Sequence, residues 1–111
     1  MVKVVIAGGR DKWVSETEIE TAILESGLEV SEIVFGGSCG VDECARQYGI
    51  KKGIKTTVFY ADWDIHGYSA GPIRNGEMAK YSDALIAFRG GRGTSSMVSA
   101  MEKLRKPVFK V

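Results

Sequence analysis

Residues 2–9 read Val2-Lys3-Val4-Val5-Ile6-Ala7-Gly8-Gly9, and residues 15–18 read Ser15-Glu16-Thr17-Glu18. The first is a short, β-branched apolar run, the pattern of a strand buried on both faces. The glycine pair stops it. The second is a capping box, in which the serine oxygen and the glutamate each satisfy a free N–H in the first turn of a helix. Ile19, Ala22 and Ile23 follow at helical spacing, and Gly27 ends the helix. Together they make one strand–helix unit.

The unit recurs down the chain. Glu32-Ile33-Val34-Phe35 reads as a second strand, closed by Gly36-Gly37. Val41, Cys44, Ala45 and Tyr48 share one helical face, which runs to Gly53. Thr56 to Tyr60 reads as a third strand. Ala61 to Gly71 is the longest irregular segment, and Pro72 suits the first turn of a third helix. Ala84 to Phe88 is a fourth buried strand, closed by Gly90-Gly91-Arg92-Gly93. Met97, Val98, Met101 and Leu104 give a fourth helical face, and Pro107 opens a last strand, Val108 to Val111. Strands alternating with helices predict a parallel sheet with right-handed crossovers and helices on both faces. The expectation is an α/β, three-layer Rossmann-like sandwich of five strands in the order 3-2-1-4-5, one domain over residues 1–111.

Length and composition agree with this. The chain has 111 residues, 44% hydrophobic and 26% charged, with two prolines. That suits one domain with a real core and excludes disorder. No apolar run approaches the ~18 residues of a membrane span. Fifteen basic residues against fourteen acidic ones leave a net charge of +1, which argues against a general nucleic-acid binder. Cys39 and Cys44 fit neither a CxxC pair nor a closed zinc site. With no leader pattern at Met1, the expectation is a cytoplasmic protein holding no metal and no resident cofactor.

Glycine is placed unevenly. Gly8-Gly9, Gly36-Gly37-x-x-Gly40 and Gly90-Gly91-x-Gly93 each follow a strand and precede a helix. In a parallel sheet such loops all lie at the carboxyl edge, where ligands bind at the point of strand-order reversal. Glycine lets backbone N–H groups approach a ligand, and a helix N-terminus beyond it favours phosphate. The alternative is that the glycines only make tight turns; three clusters on one edge favour phosphate. Neither GxGxxG nor GxxxxGK[ST] is present. Arg10, Arg74, Arg89 and Arg92 lie around the clusters, and a guanidinium grips phosphate with two parallel hydrogen bonds. Asp11, Asp42, Asp62 and Asp64 are interleaved as acceptors for ribose or base groups, although Asp42 also suits a plain helix-dipole role. Asp62, Asp64 and His66 make a poor metal site without a fourth ligand. The ligand-binding candidates are Gly8, Gly9, Arg10, Gly37, Ser38, Asp42, Asp62, Arg74, Asn75, Gly90, Gly91, Gly93 and Thr94.

Ala7 to Asp11, Gly36 to Asp42, Ala61-Asp62-Trp63, Ala70 to Asn75 and Gly90 to Thr94 together resemble the SLOG superfamily. That Rossmann-like group includes the LOG nucleoside-monophosphate phosphoribohydrolases and the DNA-processing proteins of natural transformation. The chain is most similar to its small, stand-alone, YspA-related branch. The resemblance implies a nucleotide or nucleotide-derived ligand at the glycine-rich edge. The LOG enzymes carry an arginine ahead of a helix and then P-G-G-x-G-T-x-x-E. Arg74 matches that arginine and Gly90-Gly91-x-Gly93-Thr94 the core of the motif. Arg89 replaces the proline and Met97 the glutamate, and a thioether cannot activate water or stabilise an oxocarbenium-like ribose. The resemblance therefore implies a binding module for a small nucleotide-like ligand. The phosphoribohydrolase reading is the alternative, with Asp62, Asp64 or Glu77 standing in for the glutamate. Single-strand DNA binding is a third. Since related proteins are commonly dimers, Met97 and Met101 are candidates for packing a partner subunit in a homo-oligomer as well as for the core.

Overall fold

The computed structural model describes residues 1–111. Strand β1 (Val2–Ala7) leads to helix α1 (Glu16–Ser26), β2 (Val30–Gly36), α2 (Val41–Lys52) and β3 (Lys55–Phe59). A single turn, α3 (Trp63–His66), and a 3-10 turn (Gly67–Ser69) run into α4 (Ala70–Tyr81). Then come β4 (Ala84–Ala87), α5 (Arg92–Lys103) and β5 (Val108–Lys110). The five strands form one sheet in the order β3-β2-β1-β4-β5, and every pairing is parallel.

The apolar strands bury both faces. On β1, Val4 and Ile6 join a cluster with Ile33, Phe35 and Ile86, covered by Ile19 and Ala22 of α1 and Ala45 and Tyr48 of α2. Val5 and Ala7 point the other way, to Val34 and Leu85, under Met78 and Ala79 of α4 and Met97 and Met101 of α5. The two-residue period of the strands thus yields three layers. Ser15 and Glu18 form the capping box of α1. Lys106 closes α4 from a distance, its ammonium donating to the carbonyls of Ala79, Lys80 and Ser82. A cation at a helix C-terminus meets both the free carbonyls and the dipole.

Three expectations need correction. Ala61 to Gly71 is mostly helical, because the Asp62 carboxylate accepts from the Ile65 N–H and starts a turn that continues into α4. Leu104 lies beyond the end of α5 and is substantially exposed, so it is no part of that helix's buried face. Met97 and Met101 are 1% and 0% exposed within the chain's own core, which leaves them nothing to offer a partner subunit.

Candidate functional site

The strand order reverses between β1 and β4, and there the loops are knitted together. The Gly9 N–H donates to the Arg89 carbonyl at 2.9 Å, and the Gly9 carbonyl accepts from Val41 at 3.2 Å and Lys12 at 3.3 Å. Gly40, the N-cap of α2, has φ +69, and a Cβ on it would run into the Gly9 and Arg10 carbonyl groups. A glycine is required at 40 for both reasons.

These loops bound a cleft of about 420 Å³, within the ~300–1,000 Å³ typical of small-molecule sites. Its floor is Ile6, Ala7, Met78 and Met97. One end is the first turn of α5, Arg92 to Thr94, behind the N-cap Gly91. No side chain caps that turn. Gly91 has φ −97, and a Cβ on Gly91 or Gly93 would meet no atom within 4 Å. Neither glycine is required by packing. Both leave the N-terminal N–H groups of α5 open to the cleft.

The other end is built from β2, α2 and α4. Gly36 closes β2, and a Cβ there would strike the Arg74 guanidinium. Its absence lets that guanidinium lie across the strand end. Arg74 Nε donates to Asn75 Oδ1 at 3.0 Å and Nη1 to the Phe59 carbonyl at 3.3 Å, while Nη2 has no protein acceptor. Burial draws Arg74 below its ordinary pKa; Asp42 offsets this in part and Arg10 adds to it. Asn75, 4% exposed, also donates to the Gly93 carbonyl and Ser96 Oγ, both at 3.2 Å. It braces Arg74 and the α5 turn against each other.

Asp42 lines the same cleft beside Arg74, since a Cβ on Gly36 would approach both side chains. It is 9% exposed, and Oδ2 accepts from the Ser38 N–H at 3.2 Å. Burial pushes its carboxyl up to about 6, against the opposing influence of the Ser38 amide, Arg74, the Ser38 hydroxyl and Arg10. A first-turn acid serving only the helix dipole would face solvent; this one faces the cleft.

The structure brings together Gly8, Gly9, Arg10, Ser38, Asp42, Arg74, Asn75, Gly91, Gly93 and Thr94. Gly37, Gly90 and Asp62 do not line the cleft. The Tyr60 ring covers the space at Gly37, and the Thr94 hydroxyl fills that at Gly90. Asp62 is exposed and occupied as the cap of α3. Arg92 and Asp11 stand at the rim, whereas Arg89 faces a separate shallow groove with Lys110. Gly36, Met78 and the strand-end residues Ile6 and Ala7 are additions. Only Gly36, half of a glycine pair after a strand, left a sequence signal. No three His, Cys, Asp or Glu side chains converge as a metal site, and no helix is long and apolar enough to cross a membrane.

No family model matches the chain. The Gene 61 protein of Mycobacterium phage D29 is 34% identical to it over 123 residues, covering 98% of this chain and 95% of the phage protein. Among solved structures, the X-ray structure of TM1055, a structural genomics target, superposes with a TM-score of 0.71 at 20% identity. That match covers 97% of this chain and 72% of TM1055, and it shows a shared fold.

Proposed function

The chain belongs to the family of the Gene 61 protein of Mycobacterium phage D29, and we propose that it is a binding module for a nucleotide or nucleotide derivative. It acts as sensor, carrier or sequestering protein through the cleft at the carboxyl edge of its sheet. The observation that carries this is the open first turn of α5. Two glycines there relieve no clash, no side chain caps the helix N-terminus, and the Arg74 Nη2 has no protein partner. N–H groups, a helix dipole and a guanidinium in one concave site suit a phosphate. The sequence resemblance to the SLOG superfamily points to the same ligand class.

The phosphoribohydrolase alternative loses its proposed stand-ins. Asp62, Asp64 and Glu77 are exposed and outside the cleft, and Met97 holds the position of the missing glutamate. The deciding experiment is native mass spectrometry of freshly purified protein, followed by calorimetry against a nucleotide panel. A co-purifying nucleotide-sized mass, or saturable binding lost in Gly91→Asp, is expected. Tight single-stranded DNA binding that falls steeply with salt would instead favour a polymer ligand.

A further inference from the structure

We propose that Asp42 receives the cis-diol of a ribose, so that the cleft selects ribonucleotides over 2′-deoxyribonucleotides. This rests on the nucleotide reading above and adds which part of the ligand Asp42 takes.

The chain buries two carboxylates, and they differ in their partners. Glu32, 6% exposed, accepts from the Thr57 hydroxyl at 2.7 Å and from the Tyr81 hydroxyl, and pairs with Lys55 at 3.4 Å. Burial alone would raise its pKa, but these partners outweigh it and hold the carboxyl below its usual range. Asp42 is almost as buried and has only Ser38 beside it. A carboxylate offers about four acceptor sites. Neither nearby arginine forms an ion pair with it, since Arg74 directs Nε and Nη1 to Asn75 and Phe59. Ser38 is thus the one residue that donates to a carboxylate lining the cleft.

A largely buried carboxylate with so few protein donors, on the wall of a cleft, has acceptor capacity left for a ligand. Their chemistry follows from the surroundings. Arg10, Arg74, Arg92 and the α5 N-terminus make the cleft electropositive, which disfavours an ammonium. The donors are therefore neutral. Two hydroxyls on adjacent carbons present a pair of O–H groups to one carboxylate, the chemistry by which acidic side chains select ribose in dinucleotide folds. With the phosphate on the α5 turn, the sugar comes next along the ligand, and Asp42 lines the same cleft beside Arg74.

The test is calorimetry on the wild-type protein with the four ribonucleoside 5′-monophosphates and their 2′-deoxy counterparts. Ribose 5-phosphate and 2-deoxyribose 5-phosphate serve as a base-free pair. Deoxy ligands should bind about ten- to a hundredfold more weakly, the loss of a charge-assisted hydrogen bond. Asp42→Ala, with its fold checked by circular dichroism, should erase the difference. The same preference in the base-free pair supports the proposal, because no base is present to explain it. Equal affinity for ribo and deoxy ligands overturns it and leaves the nucleotide reading intact, whatever the variant does. A base preference that changes in Asp42→Ala while the sugar is ignored also overturns it, in favour of a base amino group. If no nucleotide or sugar phosphate binds at all, the nucleotide reading itself falls.

Discussion

Replacing Asp42 by asparagine should stabilise the free protein at neutral pH and do nothing at acid pH. The carboxyl is pushed from 3.8 up to about 6 by burial. At about 1.36 kcal/mol for each pH unit, that is a penalty of roughly 3 kcal/mol on the ionised form. Below about pH 4 the group is protonated in the folded and the unfolded chain, and it adds no pH dependence. Between 3.8 and about 6 the folded chain holds a proton that the unfolded chain has released. Stability therefore falls as pH rises through this window, and the full penalty is present above it. Asparagine keeps an oxygen for the Ser38 N–H and carries no charge. Urea unfolding of both proteins at intervals from pH 4 to 8 isolates the effect, because the acid losses of Glu16, Glu32 and Glu43, whose pKa values are lowered, are common to both. The variant should gain about 2–3 kcal/mol at pH 8 and converge on the wild type near pH 4. A difference that stays flat with pH, or a variant less stable at pH 8, would refute the claim that Asp42 is held desolvated and underpartnered.

Gly93→Ala should raise stability by up to about 1 kcal/mol, since its Cβ meets nothing and alanine is the better helix former, yet weaken nucleotide binding at least about tenfold by crowding the phosphate. Gly76→Ala, equally free of contacts but outside the cleft, should give the same rise in melting temperature with unchanged affinity; a Gly93→Ala protein that binds normally would remove the α5 turn from the site. Met97→Glu should cost about 2–5 kcal/mol in urea unfolding, because the side chain is 1% exposed in the second turn of α5 and the carboxyl would be buried there. Neither it nor the wild type should release free base from nucleoside monophosphates in an overnight reaction followed by chromatography, and robust release by the wild type would show a hydrolase.

The sheet was legible because burial writes itself into sequence. Val4 to Ala7 and Ala84 to Phe88 are apolar without alternation, as only a strand covered on both faces is, and each ends at a glycine pair. Alternation with helices implied the parallel sheet, and the order 3-2-1-4-5, one of the doubly wound orders that alternation allows, is the one found. The turn at 63–69 was not legible, since none of its residues is buried and periodicity reports burial. Its one signal was Asp62, a helix-starting acid read as a ligand candidate. Within the site, the residue types were legible and their directions were not. Gly36, Gly37 and Gly90 look alike in sequence. Gly36 makes room for Arg74, Gly37 for the Tyr60 ring and Gly90 for Thr94. Asp42 suited both a ligand acceptor and a dipole partner in sequence, and the Ser38 amide holds it on the cleft wall.

The cleft is also where the chain departs from its own stability. Gly93 weakens the first turn of α5 without relieving any clash. Asp42 carries a charge out of water with one partner, and Arg74 does the same with an N–H group to spare. These residues come from three different helices or their caps, so no single local strain explains them together. Outside the cleft Glu32 is answered by two hydroxyls and a lysine, the end of α4 by Lys106 and the start of α1 by its capping box. Unanswered donors and an underpartnered acceptor line one cleft of about 420 Å³. The ligand we propose carries an anion and neutral hydroxyl donors beside it, and its binding would offset the cost of holding Asp42 and Arg74 out of water.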